Sequence, residues 1–122
     1  VLGRACRPPK ITAAMVDSFF YRQNAKDGKP LRPGGPPVVK IDVRLETVVA
    51  GSFAAADGSL GTVVVNASPD TQEAEVALSS EKRYELFLPD GSTDRGVGLK
   101  AGDELLHLTL EPFGVRVLKE HP

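Results

Sequence analysis

From position 39 the chain alternates. Val39, Ile41, Val43 and Leu45 are interleaved with Lys40, Asp42, Arg44 and Glu46, the period of two expected of a strand with one dry and one wet face. The same period returns at Ala74, Val76 and Leu78 against Glu73 and Glu75. It recurs at Tyr84, Leu86 and Leu88 against Arg83 and Glu85, and at Leu106, Leu108 and Leu110 against His107 and Thr109. One stretch departs from the pattern: Gly61-Thr62-Val63-Val64-Val65-Asn66. Three consecutive β-branched valines between turn signals predict a strand covered on both faces. The segments around it then read as strands that pair with it or pack over it. Val48 to Ala56 is extended with a bulge or bend at Gly51, and Val115 and Val117 belong to the last strand.

Turn signals punctuate these runs about every ten residues: Asp57-Gly58, Ser68-Pro69-Asp70, Pro89-Asp90-Gly91-Ser92, Ala101-Gly102-Asp103 and Pro112-Phe113-Gly114. Short alternating strands at that spacing predict an all-β fold, an antiparallel two-sheet β-sandwich of about seven or eight strands of Greek-key type. No strand–helix–strand alternation argues for a doubly wound sheet. Ahead of residue 38 the signals differ. Val1 to Arg7 reads as a short strand or an extended entry segment, stopped by Pro8-Pro9. Ile11 to Tyr21 fits either a short helix capped by Thr12 or a strand from Ser18, and the strand is favoured. Gln23 to Pro37 is rich in Gly and Pro and predicts a mobile, partly polyproline-like loop. The expected organisation is one domain, with a basic leading segment over residues 1–37 and a sandwich body over 38–122.

A chain of 122 residues hides roughly two-thirds of its unfolded surface, enough for a core without staples. The single cysteine, Cys6, excludes an internal disulfide, and with no histidine or paired acid nearby it reads as a free, buried, unreactive thiol. The net charge of −1 conceals an asymmetry: nine Lys and Arg against three Asp and Glu in residues 1–44, six against thirteen thereafter. The basic residues are scattered among Pro and Gly, so they are expected to meet the acidic body or a neighbouring domain and not nucleic acid. No apolar run is long enough to cross a bilayer. The start at Val1 suggests a piece of a longer polypeptide, whose localisation the residues leave open.

Little of this carries chemistry. Glu73 with Glu75, and Asp42 with Glu46, share outward strand faces, where solvated surface is expected. A Ser-His-Asp set could draw on Ser52 or Ser59, His107 and Asp103, but there is no Gly-x-Ser-x-Gly elbow. Asp90, Ser92 and Asp94 space oxygen ligands two apart, as a calcium loop does. Arg95 stands where such a loop wants glycine, and a plain turn is expected with no metal or other cofactor. For sugars, which stack on aromatic platforms, Phe19, Phe20 and Tyr21 form the one aromatic cluster outside the core pattern, with Phe53 further on. Tyr84 lies on a buried alternation and is expected in the core.

The order of pieces from Val48 onward brings a family into view: Thr47-Val48-Val49-Ala50-Gly51-Ser52-Phe53, an Asp-Gly turn, Gly-Thr-Val-Val-Val-Asn to Asn66, a Tyr-x-Leu strand, a second Asp-Gly turn, a leucine-rich strand and a Pro-x-x-Val-x-Val-Leu ending. This resembles the carboxy-terminal β-sandwich domains that follow the catalytic barrel of α-amylase-like and α-galactosidase-like glycoside hydrolases. Gly3-Arg4-Ala5-Cys6-Arg7-Pro8-Pro9 is similar to the link out of such a barrel in a group of uncharacterised bacterial enzymes. The resemblance implies a non-catalytic accessory domain in carbohydrate metabolism, with the catalytic barrel of the same polypeptide as its partner. A carbohydrate-binding module using the aromatic cluster is the alternative, and a free-standing hydrolase a distant third. Relatives often carry Trp before the Asp-Gly hairpin; this chain has none, and Phe53 is the nearest aromatic.

Overall fold

The computed structural model describes residues 3–122; the first two residues of the expected leading strand lie outside them. The described chain is all-β, with eleven strands in three antiparallel sheets and no helix. It divides into two compact units, one made of the residues up to Ala14 with Thr47–Pro122, the other of Met15–Glu46.

The larger unit carries two sheets. A five-stranded sheet has the order β1 (Arg4–Cys6), β6 (Val48–Ala54), β7 (Leu60–Asn66), β11 (Val115–His121), β9 (Arg83–Phe87). A three-stranded sheet has the order β10 (Leu105–Leu110), β8 (Gln72–Ala77), β2 (Ile11–Ala13). Their inward rows meet in one core: Val48, Val64, Leu86 and Leu118 from the first, Ala74, Val76, Leu106, Leu108 and Leu110 from the second. Of the alternations read at 74–78, 84–88 and 106–110, Ala74, Val76, Leu86, Leu106, Leu108 and Leu110 lie in the core, Leu78 and Tyr84 pack partly buried against it, and Leu88 falls outside it, beyond the end of β9.

The valine run is the middle of the larger sheet, as predicted, but its two faces differ. Thr62, Val64 and Asn66 are buried, whereas Val63 and Val65 on the opposite face are only partly covered. Buried hydroxyls on the inner face find each other, with Ser52 Oγ and Thr62 Oγ1 2.6 Å apart. Asn66 closes the strand. Its Nδ2 donates to the carbonyls of Asp70, Leu110 and Glu111 at 2.8–3.2 Å, and its Oδ1 accepts from the Ser68 N–H at 3.0 Å. An amide can serve both sides of a turning backbone in this way, which an apolar side chain cannot. The Asp57-Gly58 turn forms within a loop in which only Gly58 has positive φ, at 85°. Asp57 Oδ1 accepts from both Ser59 N and Ser59 Oγ, and those hydrogen bonds hold its pKa below the ordinary value.

The smaller unit is a three-stranded sheet in the order β3 (Met15–Gln23), β5 (Pro37–Glu46), β4 (Lys29–Pro30). The strand expected from Ser18 begins at Met15. The Gly/Pro segment expected as a mobile loop includes β4 and is tied by the Asn24 N–H to Pro37 O at 2.7 Å and the Gly35 N–H to Arg32 O at 3.0 Å. The alternating strand at 37–46, read as the start of the body, pairs with β3 over nine residue pairs and with β4. The face expected to be dry is not: Val39, Ile41 and Val43 are only partly covered and Leu45 is 49% exposed, because alternation marks the apolar face of a strand and specifies neither what covers it nor the partner strand. Thr47, where the chain leaves this unit, is pinned within the larger one: its Oγ1 donates to Ala14 O at 2.6 Å.

Candidate functional site: an apolar outer sheet face and an open cleft

The last strand, β11, points its residues contrary to hydrophobic expectation. Leu118 is inward, and so by alternation are Arg116 and Glu120, while Val115 and Val117 face out. Arg116 is satisfied inside: its Nε donates to Asp94 Oδ2 at 3.0 Å, and its two terminal nitrogens to the Glu111 carboxylate at 3.0 Å each. The Glu111 bonds, foremost, push the guanidinium pKa up, and Arg116 holds the Glu111 carboxyl below its usual range.

The outward valines of β11 continue a wider apolar face. Across the sheet, Val49, Val65 and Val115 form one row, and Gly51, Val63, Val117 and Phe87 the next. Phe53 stands beyond them, opposite Gly61. Val49 is 43% and Phe53 36% exposed, and the others are partly covered. A contiguous apolar sheet face is uncommon where water is the final neighbour. Of the residues singled out in the sequence, Phe53 belongs to this face.

The aromatic cluster at 19–21 does not act as one surface. Its members alternate along β3, so Phe19 and Tyr21 share one face of their sheet and Phe20 lies on the other. All three are exposed, at 53%, 44% and 51% respectively. Phe19 and Tyr21 meet edge to face with 74° between ring planes, and Lys40 Nζ stands 4.5 Å over the Phe19 ring. Two rings at that angle do not make the coplanar platform that a sugar chain would lie on. Phe20 shares its face with Val16, Val39, Ile41, Val43 and Leu45.

The remaining candidates are occupied by local bonds. Asp90 Oδ1 accepts from Ser92 N and Oγ, Asp94 accepts from Arg116 and from the Gly96 N–H, and the Asp90–Ser92 pair forms a turn with Gly91 at φ 88°. Among the described residues, no three acidic, histidine or cysteine side chains gather as a metal site would require. Ser59 bonds Asp57, Asp103 accepts from the Lys100 N–H, and His107 Nδ1 lies 3.5 Å from Glu75 on an outer face. The residues of the imagined triad are thus each held by other partners. Cys6 is half-buried, with its Sγ 3.3 Å from Arg4 O.

Sequence reasoning missed one place. Tyr84, expected in the core, is only partly buried. It lines an open cleft of about 300 Å³ with Glu120, Arg7, Ser79, Leu60 and Leu118. The signal available was Glu120 itself, an acid two residues after an inward leucine. Comparisons with protein-family models, with curated proteins and with solved structures found no match.

Proposed function

We propose that this chain is a non-catalytic accessory domain: a two-sheet, Greek-key β-sandwich that docks on a neighbouring domain through the outer face of its five-stranded sheet. The observation that carries this is the apolar row Gly51, Val63, Val117 and Phe87 with Val49, Val65, Val115 and Phe53 around it. With strands about 4.8 Å apart and same-face residues about 6.8 Å apart along a strand, eight such positions cover on the order of 300 Å². A stable contact between separate chains buries about 800 Å² per partner. Contacts between domains of one chain begin near 600 Å² in total, or about 300 Å² a side. A face this small holds its partner when a tether supplies the local concentration. The occupant is therefore a second domain of the same polypeptide, and the sequence resemblance supplies its kind, a glycoside-hydrolase-like catalytic barrel.

The test uses the chain by itself, where the face would lack its partner. The parent should bind an apolar dye such as ANS and self-associate weakly as concentration rises. The triple variant Val49→Thr, Phe53→Ser, Val117→Thr should lose both behaviours and keep its circular dichroism. A parent that stays monomeric and dye-free at high concentration would remove the basis for docking at this face.

A further inference from the structure

The cleft beside Tyr84 lies on the inward side of the same five-stranded sheet, so ligand binding there is independent of docking on the outward side. One wall is a cross-strand row: Leu60 on β7 is paired with Glu120 on β11, which is paired with Tyr84 on β9. Leu118, Arg7 and Ser79 line it as well. The inward alternation of β11 forces a carboxylate into a position where the pattern calls for a leucine. Arg116, the other inward charge on that strand, has both its carboxylates. Glu120 makes no side-chain hydrogen bond or ion pair with any described residue, and neither does Arg7, although both line the one cavity. Glu120 is partly covered and Arg7 exposed, so both keep hydrogen-bonding capacity that a molecule in the cleft can use.

Tyr84 adds a third group. Its oxygen accepts from the Ser79 N–H at 2.9 Å, which leaves its own O–H free to donate. Partial burial raises the phenol pKa, and the Glu120 charge adds to this, so the proton stays on at neutral pH. The cleft therefore presents an acceptor, two donors and an apolar lining within about 300 Å³. By the roughly 30 Å³ that each water occupies in the liquid, that is space for about ten waters.

We infer that this cleft binds a small neutral hydroxylated ring of monosaccharide size, its hydroxyls bridging Glu120, Arg7 and Tyr84 and its apolar ring face on Leu60 and Leu118. Hydroxyls both donate and accept, so one ring serves the carboxylate, the guanidinium and the phenol together. Apolar walls with a few convergent polar groups are the ordinary make-up of a small-molecule site.

The experiment is a titration of the ¹⁵N-labelled chain, followed by amide shifts, with a panel of neutral pyranoses and, in parallel, with leucine. At least one pyranose should shift the amides of Leu60, Ser79, Tyr84 and Glu120 saturably. Glu120→Ala and Tyr84→Phe should each weaken its binding by about tenfold or more. Tyr84→Phe removes a single hydroxyl, so it reports even if the other variant is destabilised. No saturable shifts with any pyranose would overturn the inference, as would shifts that both variants leave unchanged. Shifts with leucine alone would overturn it as well, because the cleft would then be a zwitterion site with Arg7 and Glu120 on the two charges.

Discussion

The larger unit shows water two very different surfaces. Across β2, β8 and β10 the outward residues are Thr12, Glu75 and His107 in one row, with Glu73 and Thr109 on one side of it and Ala77 and Leu105 on the other. Across β6, β7, β11 and β9 the central outward row is Gly51, Val63, Val117 and Phe87, flanked by Val49, Val65 and Val115 on one side and by Phe53, Gly61, Lys119 and Glu85 on the other. Both sheets bury their inward rows in the same core, and both are antiparallel. Folding alone therefore explains the inward residues of each and leaves the outward valines unaccounted for. A sheet that needed only to fold would alternate as β8 and β10 do. The five-stranded sheet instead carries β-branched and aromatic residues on both sides, which is the composition of a sheet with a layer on each.

The sharpest way to break this contrast is within one strand. Val64→Asp places a carboxylate at a fully buried position. It should cost several kcal/mol, a large share of a stability of about 5–15 kcal/mol, and unfold the domain. Val65→Asp, one residue along and facing out, should leave the chain folded and make it more soluble. Thermal melts and sedimentation of the two variants check this pair. Equal destabilisation would mean that the outer face is as closed as the inner one.

A smaller effect belongs to the inward charge of β11. Arg116 lowers the Glu111 pKa from an ordinary value near 4.5, so the ionised carboxylate favours the folded state. That contribution is complete above the ordinary value and is lost as pH falls through the lower folded value. Glu111 is more than half exposed, which keeps the effect under about 1 kcal/mol. Glu111→Gln should lower the melting temperature slightly at about pH 7, and the gap should narrow and close as pH falls below the ordinary carboxylate range. A gap that persists in acid would show that the side chain acts by packing and not by charge. The smallest effect is expected on the wet face. His107→Ala, which removes a 3.5 Å contact with Glu75, should change stability by less than about 0.5 kcal/mol in denaturant melts.

Much of the fold was legible because alternation is a local property. Ala74, Val76, Leu106, Leu108 and Leu110 lie in the core because every second residue of a half-buried strand must. Asn66 was legible too, since a polar residue ending a valine strand has a backbone turn to satisfy. Partnership was not legible. Nothing in Val39-Lys40-Ile41-Asp42 says that it pairs with Phe19-Phe20-Tyr21 in a sheet apart from the larger unit's, because strand pairing is settled between segments far apart in sequence. The strands of two or three residues, β1, β2 and β4, are too short to show a period, so eleven strands stand where seven or eight were expected. In β11, Val115, Val117 and Leu118 offer two competing registers, and only the neighbours β7 and β9 decide which side is inward. The cleft escaped notice for the same reason: Leu60, Glu120 and Tyr84 become adjacent only once those three strands are side by side.

The place of β11 also sets a timetable. It lies between β7 and β9 and follows both in sequence, so those two strands have nothing bridging them until β11 has been made. Until then Val63 and Val65 belong to an unfinished sheet edge, and Leu86 has no strand beside it on the β11 side. At synthesis rates of about 5–20 residues per second, the interval from Asn66 to His121 lasts from roughly three to eleven seconds. During that time the nascent chain holds an open, valine-rich edge of the kind that recruits other strands when left bare. β7 and β9, made earlier, become neighbours of one strand only when β11 arrives between them.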